Sequence, residues 1–269
     1  SIRGRIYSIY FALGLFGDIA GNAIYAKLTG APAAMILKVS AFLFVISSVL
    51  VFIIVVLIQD FKISPICKKS KNSRSSNRNI VVTSLWGALP LVIIVFGCSM
   101  FNSVIKGDLI YIYINEVFKL SRDIVAGYLA LSLLIALPIS YLLSWLSDKA
   151  SDALSLRTSL CLVVIGAMLM GSMWRELALV GLIMAYGGIF SITPITRRVA
   201  ISKFRLGGTI LGLMNASSNM GNVIGAVLAG YFYDLAEGVI SQFTRSMSIL
   251  IMLLPLITSL ISAFLAIKD

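Results

Sequence analysis

An aspartate stands inside an otherwise apolar, glycine-bearing segment, GDIAGNAIYAKL, which begins at Gly17. An unpaired charge at the centre of a membrane span costs roughly 2.5–3.5 kcal/mol even on the lenient insertion scale. Asp18 therefore needs a reason to be there. A carboxyl in that setting can bind and release a proton, and Asn22, at i+4, can hydrogen-bond it. The other reading is a structural acid paired with a lysine or with the backbone of another helix.

Asn215, Asn219 and Asn222 follow i, i+4, i+7 spacing, which puts three amides on one face of a single helix. Three amides turned to lipid would be expensive, so the stripe should face a polar cavity or another helix. Lys106 and Asp108 sit near one end of an apolar run. From inside a cavity Lys106 could hold an anionic solute. At the membrane surface it would snorkel to the interface, as Lys27 and Lys38 should, and this is the simpler expectation. Arg175 and Glu176 read as a tight external turn.

Other chemistry is scarce. The chain has no histidine, which removes the commonest proton shuttle and metal ligand. Cys67, Cys98 and Cys161 have neither metal-site nor redox-motif spacing, so no metal site is expected. Asp148 and Asp152 are the nearest approach to an acid pair outside the spans. No segment has the form of a nucleotide-binding loop, and no cofactor is expected.

The elements that must position these residues follow from composition. Hydrophobic residues make up 59% of the 269 and charged residues 12%, against about a quarter charged in a soluble domain. Mean hydropathy is +1.00. Apolar runs recur along the whole length, and about 20 apolar residues suffice for one crossing. The runs predict helices over 6–28, 34–58, 82–105, 124–147, 157–175, 177–195, 208–231 and 244–267. They are continuously apolar rather than alternating, which favours an all-α polytopic bundle over a barrel. Pro90, Pro138, Pro194 and Pro255 fall in or beside the runs and predict kinks rather than breaks.

With both termini on one side of the bilayer, fifteen of the 22 lysines and arginines fall on that side. The positive-inside rule makes it cytoplasmic, so the net charge of +11 is mainly a topology signal and not a sign of nucleic-acid binding. The stretch from Asp60 to Asn79, DFKISPICKKSKNSRSSNRN, is basic and rich in serine and asparagine. It predicts a flexible cytoplasmic linker. Three units result: residues 1–59, a linker over 60–80, and residues 81–269.

A phrase recurs. GDIAGNAIYAKL has a counterpart in GNVIGAVLAGYF from Gly221, with asparagine where Asp18 stands. A shift of 204 positions pairs Gly4 with Gly208, Ile6 with Ile210, Ala12 with Ala216, Gly17 with Gly221 and Gly21 with Gly225. Gly14, Gly17 and Gly21, like Gly221 and Gly225, are spaced for close helix packing. The two copies lie six spans apart, which suggests a parallel repeat of six helices, a transporter plan. The first copy has only its last two helices, so four are expected upstream of Ser1.

The segment RLGGTILGLMNASSNMGNVIGAVLAGYFYD, Arg205 to Asp234, resembles the eleventh helix of the major facilitator superfamily. SWLSDKASDALSLRTSL, from Ser144, resembles the loop between helices eight and nine of that family, with Leu146, Asp148 and Lys149 matching. It departs in Ser144, where glycine is usual, and in a basic cluster reduced to Arg157. YIYINEVFKLSRDIVAGYLAL, from Tyr111, looks like the outer end of helix seven leading into helix eight.

The resemblance implies the following. The chain is helices five to twelve of a twelve-helix secondary transporter in the cell membrane. It is a monomer that moves a small solute by alternating access, as a symporter or antiporter with protons as the coupling ion. Asp18, Asn22, Lys106, Asn215, Asn219 and Asn222 are candidates for solute contact or coupling, and Asp148, Lys149 and Arg157 form a cytoplasmic loop motif. The rival readings are an integral-membrane lipid-modifying enzyme and a transport-inactive receptor.

Overall fold

The computed structural model describes residues 77–172, 174–204, 207–237 and 249–266, with three single positions at 35, 39 and 42. Asp18, Asn22, Gly14, Gly17, Gly21, Lys27, Lys38 and most of the basic linker lie outside the described residues, as does the first copy of the repeat.

Among the described residues there are helices and no strands. They are α1 (Asn77–Lys106), α2 (Asp108–Phe118), α3 (Arg122–Lys149), α4 (Asp152–Met170), α5 (Arg175–Lys203), α6 (Gly207–Glu237) and α7 (Leu253–Ala266). Among the described residues four segments are long and apolar enough to cross a membrane: Trp86–Lys106 within α1, and the whole of α3, α4 and α5. The fold is therefore an all-helical bundle suited to membrane insertion. At 31 residues α6 is long enough to cross, but it is not one of the four, because its three asparagines dilute its apolar character. α2 and the segment Ile249–Leu265 are apolar but shorter.

α5 is the most enclosed of the four spans. α4 packs on α5, α1 on α6, α3 on α5, and α7 against both α1 and α4. In lipid no hydrophobic force draws helices together, so close approach and interhelical hydrogen bonds must do so. At the α1–α6 seam a Cβ on Gly221 would lie 2.6 Å from the Phe96 carbonyl oxygen, and one on Gly225 would lie 2.6 Å from the Met100 Cα. Serines hold this seam and two others. Ser159 and Ser191 are hydrogen-bonded at 2.7 Å between α4 and α5, Ser217 donates to the Val92 carbonyl, and Ser259 donates to the Ile93 carbonyl.

Several expected boundaries move. α1 begins at Asn77, so the last residues of the expected linker are helical. α4 begins at Asp152 rather than 157, because the Ser151 hydroxyl accepts from the Leu154 N–H at 3.1 Å and caps the helix. It stops before Gly171, short of the expected 175. Arg157 consequently lies inside α4 and not in the preceding loop. α5 continues past Pro194 to Lys203, eight residues beyond the expected end at 195, so Arg197 and Arg198 are helical. α2 is a separate helix where only the end of a longer span was expected. It ends on Lys119 in the left-handed conformation, at φ 53°.

Candidate functional site

Residues of α1, α5 and α6 line a partly open cavity of about 80 Å³, room for two or three waters at about 30 Å³ each. α1 contributes Val95, Cys98, Ser99 and Asn102. α5 contributes Ile189, Ile192, Thr193, Thr196 and Arg197, and α6 contributes Met214, Asn215 and Ser218. On α1 and α5 the spacing is i, i+3, i+4, i+7, one helix face in each case.

The wall is polar for a bundle so apolar elsewhere. Ser99 and Ser218 share a hydrogen bond of 2.7 Å across the α1–α6 seam. Arg197 Nη2 donates to Asn215 Oδ1 at 3.2 Å, tying α5 to α6. The Thr196 hydroxyl donates back to the Ile192 carbonyl at 2.9 Å, which leaves its oxygen available as an acceptor. Asn102 Oδ1 is enclosed and has no donor among the described residues. Among the described residues the lining holds one guanidinium and no carboxylate.

The asparagine stripe does not act as a unit. Asn215 is in the cavity wall. Asn222 is half-buried, its Oδ1 enclosed without a partner among the described residues. Asn219 is exposed on the described bundle. Lys106 is not in the cavity wall either. It stands in the last turn of α1, its ammonium 4.8 Å from the centre of the Phe190 ring, and Phe190 stacks on Tyr186 at 5.4 Å. The side chain thus lies over an aromatic face, a favourable site for a cation. Below it, the Tyr186 hydroxyl donates to the Ile105 carbonyl at 2.5 Å and pins α5 to the end of α1.

The expected loop motif resolves into a different set. Asp148 pairs with Arg198 Nη1. Asp152 Oδ1 lies 2.8 Å from Arg198 Nη2, which also donates to the Ser147 carbonyl at 2.8 Å. One guanidinium thus joins the end of α3, the start of α4 and the last two turns of α5. Lys149 lies over the Trp145 ring at 4.4 Å, and Arg157 over the Phe264 ring of α7 at 5.1 Å. The Asp148–Asp152 pair, which an enzyme at the membrane face would need, is engaged by Arg198. Among the described residues no cluster of three potential metal ligands occurs.

Sequence reasoning missed Asn102, Ser99, Thr193, Thr196, Arg197 and Ser218. The signal was available in the polar residues at helical spacing in α1 and α5. Ending α5 at 195 concealed it, because Arg197 then read as a loop cation.

No protein-family model and no curated sequence matches the chain. The functional reading rests on the bundle and its cavity.

Proposed function

We propose that the protein is a secondary transporter of the major facilitator type, moving a small solute by alternating access. The observation that carries this reading is the polar, guanidinium-bearing cavity lined by α1, α5 and α6 among helices fit to span a bilayer. A polar chamber inside a membrane bundle is costly unless it serves a path or a ligand. The glycine-marked repeat at a distance of six spans supports two related bundles rocking about such a site. In this reading the four remaining helices of the first bundle belong upstream of residue 1, both ends of this chain are cytoplasmic, and the protein works as a monomer in the cell membrane. Protons supply the driving force through Asp18, with Asn22 beside it.

The test is flux through vesicles containing the full-length protein. Solute movement should follow an imposed proton gradient. Asp18→Asn should abolish accumulation against a solute gradient while leaving downhill exchange. Gradient-driven accumulation at the parental rate in that variant would remove the coupling role. No solute flux of any kind would remove the transport reading.

A further inference from the structure

We infer that the end of the cavity takes a small neutral polyol, whose hydroxyls donate to the amide oxygens of Asn102 and Asn222. The inference rests on the transport reading for its claim that the bound molecule is a solute.

Register brings the two amides together. A Cβ on Gly221 would meet the Phe96 carbonyl oxygen and one on Gly225 the Met100 Cα, each at 2.6 Å. A step of four residues along α6 thus matches a step of four along α1, so the two helices run parallel. Their common level is fixed by the Ser99–Ser218 hydrogen bond of 2.7 Å. Asn102 follows Ser99 by three residues and Asn222 follows Ser218 by four, about 4.5 Å and about 6 Å of helix rise. The two amides therefore stand at nearly one height, just past the hydroxyl bridge. Each continues a lining row of its own helix: Asn102 follows Cys98 and Ser99, and Asn222 follows Asn215 and Ser218.

Both Oδ1 atoms are enclosed, and neither has a hydrogen-bond donor among the described residues. A buried carbonyl oxygen is seldom left unsatisfied. Two of them at one level on adjoining helices suit a molecule with two donors. The serine bridge cannot serve both, since one of its two protons is spent on the bond between the hydroxyls. Thr196 adds to the demand: its proton goes to carbonyls of its own helix, so it offers the cavity only an acceptor.

A carboxylate has no proton to give to such a wall. An ammonium would be buried against neutral oxygens that cannot offset its charge. A neutral hydroxyl has neither fault, and because it also accepts, it can answer the amide Nδ2 of either asparagine. The cavity, partly open and of about 80 Å³, suits a chain of a few heavy atoms.

The experiment is equilibrium dialysis of radiolabelled 1,3-propanediol against the full-length protein in phosphatidylcholine nanodiscs, with unlabelled competitors of the same chain length. The diol and glycerol should bind saturably at millimolar concentration. 1-Propanol, which lacks one donor and is more apolar, should compete at least about tenfold more weakly. 3-Hydroxypropionate and 3-aminopropanol, both charged at neutral pH, should also be weaker than the diol. Asn102→Ala and Asn222→Ala should each lower diol affinity by about tenfold, so that diol and 1-propanol bind alike. A merely structural role for the amides would not remove that discrimination.

1-Propanol competing as well as the diol overturns the inference, and so does tighter binding of the acid or of the amine. Absence of saturable binding by diol and glycerol also overturns it, and would mean that water alone holds the two oxygens. Discrimination kept intact in both folded variants has the same consequence. If the variants do not fold, the competitor series on the parent decides. Diol that binds and never crosses vesicles refutes transport and leaves the polyol site standing. Gradient-driven flux of another solute, with no diol binding, does the reverse.

Discussion

Gly181→Leu should leave no folded protein to purify, and Gly181→Ala should already lower the thermal midpoint. A Cβ on Gly181 would fall 2.5 Å from the Gly166 carbonyl oxygen, 2.7 Å from the Met170 amide nitrogen and 2.8 Å from the Leu169 Cβ. The first two are backbone atoms of α4 and have no rotamer to retreat into. The crossing is reciprocal, since a Cβ on Gly166 would fall 2.6 Å from the Gly181 carbonyl oxygen and 2.7 Å from the Ala185 nitrogen. Relief requires α4 and α5 to move apart, which breaks the buried Ser159–Ser191 hydrogen bond further along the same seam. Overpacking of a tight core by small groups costs about 1–3 kcal/mol, occasionally more. Here the penalty of alanine should reach the upper part of that range, and leucine should exceed the stability of the bundle. Gly127→Ala is the control, because nothing lies within 4 Å of its Cβ position. There the helix should gain up to about 1 kcal/mol from the better helix former. Fluorescence-detected size-exclusion with heating measures all three. A Gly181→Leu protein that elutes and melts like the parent would show that α4 and α5 do not cross as closely as these glycines require.

How far the sequence carried depended on which force set each feature. α1 and α3 fall within a few residues of their hydropathy spans because apolar length alone decides where a chain can cross. The ends of α4 were displaced because a hydroxyl cap at Ser151, not hydropathy, starts that helix. Pro194 lets the helix continue, since in a bundle other groups re-satisfy the carbonyl that a proline frees, and the expected end at 195 fell short because the apolar run stops there. α5 runs on accordingly and carries Arg197 into the cavity and Arg198 onto the acids. α2 read only as the outer end of a longer span, because an eleven-residue apolar segment is too short to cross on its own. Of the cavity, Asn215 was legible, since an amide in an apolar helix needs a polar neighbour. Asn102, Ser99 and Thr193 were not, since one or two polar residues per span are usually satisfied within their own helix. Only the convergence of α1, α5 and α6, over 100 residues apart in sequence at its extremes, gives them a common purpose.

Arg198→Ala should destabilise the bundle more than either Asp148→Asn or Asp152→Asn. The guanidinium joins three helices through Asp148, Asp152 and the Ser147 carbonyl, and the Ser147 hydroxyl donates to Asp152 Oδ1 at 2.5 Å. Removing it leaves two carboxylates with like charge and no cation between them. Exposure sets the size of the effect, because the side chains of Arg198, Asp148 and Asp152 are 27%, 30% and 17% exposed. Fully exposed pairs contribute about 0–1 kcal/mol, while breaking a buried pair costs about 3–5 kcal/mol. This cluster lies between the two, so about 1–3 kcal/mol is expected. Arg198→Lys should recover only part of it, since an ammonium cannot present the planar fork that reaches both acids at once. Asp148→Asn should cost much less in the Arg198→Ala background than alone, as contacting partners are not additive. Added salt should shrink the difference between parent and Arg198→Ala, because partly exposed charges are screened over about 10 Å at 0.1 M. Additive midpoints in that double-mutant cycle, unchanged by salt, would mean that these charges do not hold α3, α4 and α5 together.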